Sequence, residues 1–97
     1  MEVVYIRRLG KYGIKIKKNM EENYQARFQE LIINGTIMDK LLEREDEIIN
    51  KKHKLEKELK LKYLRPITNE FLVIAKYNQM IEGMVEELLQ EEIEEKI

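Results

Sequence analysis

Two interruptions decide what this chain can fold into. From Tyr12 onward this 97-residue chain reads as helix almost without pause, and Asn34-Gly35 and Arg65-Pro66 are the points where that pattern must stop. Gly35 can take the left-handed backbone conformation that closes a helix. Pro66 has no N–H for the helical ladder and pushes Arg65 out of helical geometry. Three helices are therefore predicted, over roughly 14–34, 37–64 and 68–95. The link at Gly35 is so short that the first two must be antiparallel neighbours.

Each helix carries a readable apolar face. In the first, Tyr12, Ile16, Met20 and Tyr24 recur every four residues, and Phe28, Leu31 and Ile32 continue the face. Thr36 with Asp39 resembles a capping box opening the second helix, whose 28 residues would be ~42 Å long. Its stripe is Met38, Leu41, Glu45, Ile48, Lys52, Leu55 and Leu59, a coiled-coil spacing interrupted by two charges. Thr68 is the expected N-cap of the third helix. That helix has two stripes, Phe71, Ile74, Asn78, Ile81, Val85, Leu88 and Val73, Tyr77, Met80, Met84. Two stripes exceed what a simple hairpin covers, so this helix is either central or partner-facing, and a dimer or heteromeric contact through it is expected.

The N-terminal segment admits two readings. Residues 3–6 are β-branched or aromatic, Ile14-Lys15-Ile16-Lys17 alternates, and Gly10 and Gly13 bracket Lys11-Tyr12. This is either a small hairpin or a short strand, a glycine turn and then a helix starting near Tyr12; the four-residue recurrence favours the second. The expected fold is all-α: a three-helix antiparallel bundle with a long helical hairpin and a short N-terminal strand or turn, forming one domain over 1–97. A composition of 38% charged and only 7% aromatic residues suits long helices, and 43% hydrophobic residues is too many for a disordered chain.

The net charge of −1 conceals strong segregation. Residues 1–18 carry six basic and one acidic side chain, 19–50 three and eight, 51–65 seven and two, and 82–97 one and seven. A hairpin folded at Pro66 would set the acidic run 82–97 beside the acidic run 35–50 and leave the basic run 51–65 at its tip. The expected molecule is a rod with a basic and an acidic pole.

Little in the chain suits catalysis. There is no Ser and no Cys, and Thr36 and Thr68 read as helix caps. His53 stands among lysines, and the Glu-x-x-His pair of di-iron bundles would need Glu where Asn50 stands. The glutamate pairs 86–87, 91–92 and 94–95 lie on a regular helix rather than on the glycine turn of a calcium loop. Gly10-Lys11-Tyr12-Gly13 has the form of a GXXG nucleotide clamp, but the strands of that domain are missing, and a structural glycine turn is the better reading. No enzyme, cofactor or metal is expected. The N-terminus lacks the pattern of a leader peptide and no apolar run approaches a membrane span, so a cytoplasmic protein is expected.

Leu9-Gly10-Lys11-Tyr12-Gly13, the helix ending in Leu31-Ile32-Ile33-Asn34-Gly35, the Ile67-Thr68-Asn69-Glu70-Phe71 start, the Tyr77-Asn78 pair and Glu86-Glu87-Leu88-Leu89 together resemble the TnpV family of transposon-encoded proteins. The resemblance covers roughly residues 9–97. The tryptophan usual in the family's third helix is missing here, where the spacing also slips by one. The resemblance implies a helical fold and a mobile-element or phage origin within a bacterial host. It implies no catalytic residues.

The leading functional expectation is a helical interaction protein that binds and blocks a protein partner, one version being an anti-CRISPR-like inhibitor of a host defence nuclease. An acidic face can compete for a nucleic-acid-binding groove. The expected protein-binding residues are Tyr77, Met80, Met84, Glu86, Glu87, Glu91 and Glu92. The alternative is an accessory DNA- or RNA-binding protein using Lys11, Lys51, Lys52, Lys54 and Lys57.

Overall fold

A computed structural model of the chain describes residues 8–97, and every regular element among them is helical: α1 (Lys11–Asn23), α2 (Gln25–Ile33), α3 (Ile37–Lys62) and α4 (Phe71–Ile93). The strand expected at residues 3–6 lies outside the described residues. The glycine turn expected next is already the start of α1, with Gly10 as its N-cap and Gly13 inside its first turn.

The first predicted helix is two. Tyr24, at φ −135° and ψ 51°, breaks it without proline or glycine. The break lets the apolar face change neighbours. Side chains four apart on an α-helix are offset by about 40°, so Tyr12, Ile16, Met20, Tyr24 and Phe28 cannot all face one neighbour along a straight rod. Redirecting the chain at Tyr24 lets Phe28 and Leu31 pack with Met20 in a small cluster closed by Ile37 and Ile97.

The stop signals act as read, with local differences. Gly35 adopts φ +71°, its N–H reaches the Ile32 carbonyl and the Thr36 N–H reaches the Leu31 carbonyl, both at 3.0 Å. This is a Schellman closure. Thr36 is thereby held at ψ 0° and makes no side-chain cap, so the expected capping box is absent and Asp39 contributes only its charge in the first turn. Helix α3 ends at Lys62, short of Leu64, and α4 starts at Phe71 rather than 68. Thr68 Oγ accepts the Glu70 N–H at 3.1 Å, shaping the turn instead of capping the helix. The Tyr77 hydroxyl donates to the Tyr63 carbonyl at 2.6 Å and so ties the end of α3 to α4.

Helix α3 runs antiparallel to both α1 and α4, which run parallel to each other: Tyr12 meets Glu86, Asn19 meets the Ile93 carbonyl, and Arg27 meets the Ile97 carbonyl. The main core joins Tyr12 and Ile16 of α1, Leu41 and Ile48 of α3, and Tyr77, Ile81, Val85, Leu89 and Ile93 of α4. The α4 set also recurs every four residues. Its slow drift round the helix turns Tyr77 toward α3 and Ile93 toward α1, so the buried stripe mixes the two predicted ones and adds Leu89 and Ile93.

Among the described residues, only α4 accompanies α3 beyond about Glu56, and the α3–α4 hairpin projects from the three-layered body. The molecule measures 54 × 40 × 20 Å with a radius of gyration of 17.5 Å, well above the ~13 Å of a compact chain of this size.

Candidate functional site

Two polar contacts to one buried carboxylate hold α1 in place and explain the Gly-x-x-Gly spacing. The Glu45 carboxylate, on α3 and only 2% exposed, accepts the Gly10 N–H at 2.8 Å and the Gly13 N–H at 2.7 Å. A side chain of α3 thus serves as the N-terminal cap of α1, where free N–H groups and the helix dipole both favour an anion. A Cβ on Gly13 would stand 2.5 Å from Glu45 Oε2 and 2.7 Å from Leu9 Cδ2. The glycine permits the close approach of a carboxylate belonging to the protein itself. The charge that interrupts the predicted α3 stripe at position 45 is therefore a structural residue.

On the other side of α1, the Tyr12 hydroxyl donates to Glu86 at 2.6 Å, and Lys11 and Lys15 lie 3.2 and 3.9 Å from the same carboxylate. Burial, then the hydrogen bond to Glu86 and its charge, push the Tyr12 phenol well above its ordinary range. Burial alone would raise the Glu86 carboxyl, but the hydrogen bonds from Tyr12 and Lys11 and the charges of Lys11 and Lys15 outweigh it and hold the group below its ordinary value. The ammonium groups of Lys11 and Lys52 also stand over the Tyr12 ring at 5.5 and 5.6 Å.

These contacts dissolve the expected two-pole rod. Glu92 pairs with Lys51, and Arg44 pairs with Glu47 and Glu95 at 2.8 and 2.9 Å while donating to the Glu92 carbonyl. The cause is register. The loop at residues 63–70 shifts α4 along α3, so Glu92 falls beside Lys51 rather than beside Lys40, where a fold hinged at Pro66 would put it.

Besides Ile14, Ile32, Ile33 and Met38 on the body, an apolar surface stands open on the projecting hairpin. Leu61, Leu64, Ile67, Phe71 and Leu72 are between 72% and 105% exposed around its end. Further along α4, past exposed Lys76, Met80, half-buried Met84 and Leu88 add a second apolar stretch, Leu88 being 51% exposed. Beside it a groove is lined by Leu59 and Tyr63 of α3 and by Met84, Glu87, Leu88 and Glu91 of α4.

Of the seven residues expected to bind protein, the structure brings Met80, Met84, Glu87 and Glu91 to this open face. It withdraws the other three: Tyr77 is buried against α3, and Glu86 and Glu92 face the α1 and α3 lysines. Leu88 and the hairpin-end residues Leu61, Leu64, Ile67 and Leu72 were missed; apolar residues too dense for a solvated turn were the available signal. Of the five lysines expected to contact nucleic acid, Lys11, Lys51 and Lys52 are in ion pairs with Glu86, Glu92 and Glu56. Lys54 and Lys57 stay exposed on the outer face of α3, with His53 and Lys60. No group of three or more His, Asp or Glu among the described residues is placed to hold a metal ion, and no helix there is long and apolar enough to cross a membrane. Comparison with family models, with curated proteins and with solved structures finds no match to this chain.

Proposed function

We propose that this chain is a non-enzymatic docking protein that captures a protein partner on the projecting end of its α3–α4 hairpin and on the open face of α4. One observation carries the reading: the large apolar side chains of the hairpin end and of Met80 and Leu88 lie outside the core, on a two-helix projection that is costly to leave facing water. Glu87 and Glu91 add an acidic border that favours a cationic partner. On the resemblance to the TnpV family, the protein would belong to a mobile element or phage, act in the cytoplasm of a bacterial host and block a host protein. A nucleic-acid-binding defence nuclease is the version that an acidic border suits, as an anti-CRISPR-like inhibitor.

The test is affinity capture from cells of the source organism with the full chain and two variants. Met80→Glu with Leu88→Glu should lose the partner while keeping helicity. Replacing Lys54, Lys57 and Lys60 by Gln tests the nucleic-acid reading. Of the five lysines expected for it, the nucleic-acid reading keeps Lys54 and Lys57, exposed on outer α3 beside Lys60. An electrophoretic shift at moderate salt, lost with the lysine set and untouched by the glutamate pair, would replace the docking proposal with it.

A further inference from the structure

The groove between α3 and α4 has a definite chemistry. Leu59 and Tyr63 form one wall, Met84 and Leu88 the other, and Glu87 and Glu91 stand on the rim. An occupant must bring apolar side chains with cations alongside them. The end of α3 and the residues just after it carry both. Leu61, in the last turn of α3, and Leu64, just beyond its end, are 77% and 78% exposed, and Lys57 and Lys60 precede them on the last turns of the helix. Neither lysine has a carboxylate of a described residue within salt-bridge distance.

We infer that the occupant of the groove is the Lys57–Leu64 segment of a second copy of this chain. The inference rests on the docking reading and names its partner. Groove and insert sit on the same hairpin end, so placing one copy's segment in the other's groove brings the second segment into the first groove by a two-fold axis. Such a contact is isologous: every pairing of Lys57 and Lys60 with Glu87 and Glu91 is made twice. Two hairpins joined this way form a four-helix arrangement, the usual means by which a pair of helices covers its second apolar stripe. Ile67, Phe71 and Leu72 lie outside the groove lining and remain for a different partner.

The experiment is sedimentation equilibrium on the full chain and two charge-reversed variants, Glu87→Lys with Glu91→Lys and Lys57→Glu with Lys60→Glu, with circular dichroism to confirm that all three keep their helicity. Wild type should dimerise. Each variant alone should self-associate on the order of a hundredfold more weakly, because both halves of its interface would oppose like charges. An equimolar mixture of the two variants should recover a dimer, since each groove then meets a segment of opposite charge. Variants that both dimerise as well as wild type, or a mixture that stays monomeric, would overturn the inference. So would a wild type monomeric at the highest concentration reached. In that last case, if Leu88→Glu still abolishes capture of another protein, the second-copy inference falls alone. If capture is unaffected, the docking reading falls with it.

Discussion

The two halves of α3 have similar charge density and very different company. From Ile37 to about Lys52 the helix packs against α1, α2 and the C-terminal part of the chain from the end of α4 onward, and Leu41, Glu45 and Ile48 are buried. Beyond Glu56 it has α4 alone among the described residues; Leu55 and Leu59 are half-buried, and Leu61 and Leu64 are exposed. The difference shows that burial along a helix is set by what packs on it rather than by its own periodicity, and it separates the molecule into a body that holds the fold and a projection that presents a surface.

The largest expected effect is in the body. Glu45→Ala removes the shared acceptor of the buried Gly13 N–H and the part-buried Gly10 N–H and should lower stability by about 3 kcal/mol in urea unfolding. Gly13→Val should do comparable damage by driving a side chain into the same carboxylate. A loss below about 0.5 kcal/mol for either would mean that the clamp is not what holds α1. Next comes the direct contrast along one helix. Ile48→Ala should cost about 2–4 kcal/mol, whereas Leu61→Ala, measured at low protein concentration, should stay within about 0.5 kcal/mol. Equal losses would erase the distinction between the halves.

Much of the body was legible in the sequence. The recurrence of Tyr12, Ile16 and Met20, the closure at Gly35 and the stop near Pro66 are local effects, and local chemistry decides them. The break at Tyr24 was not, because it follows from a neighbour's position and from no breaker residue. The site was half legible. That α4 carries one stripe too many can be counted from residues, but which stripe stays open depends on the four-residue drift that carries Tyr77 inward and leaves Met80 and Leu88 out. The pairing of charges depends on hairpin register, which the path of the 63–70 loop sets and the position of Pro66 alone does not.

A smaller effect concerns pH. Glu86 titrates below its ordinary value in the folded chain, so its contribution to stability is present above the ordinary carboxylate range and is lost as pH falls through the lowered folded value. Tyr12 titrates above its ordinary value, so its contribution holds below that value and is lost as pH rises toward the raised one. Tyr12→Phe should cost about 1 kcal/mol near neutrality and flatten both limbs of the profile of unfolding midpoint against pH. An unchanged profile would detach this pair from the body. The smallest effect is dynamic. Amide exchange should be fastest at residues 63–70 and the adjoining helix ends, and slowest where α1, α3 and α4 meet around Ile16, Ile48 and Leu89.

The central claim is that the exposed apolar residues of the hairpin serve recognition and not folding. The direct test is one triple variant, Phe71→Ser, Leu72→Ser and Leu88→Ser, measured for both properties at once. Its urea midpoint at low concentration should match wild type to within about 0.5 kcal/mol in stability, while capture of the partner is lost. A variant that unfolds far more easily yet binds as before would show these side chains to be part of the core and contradict the account.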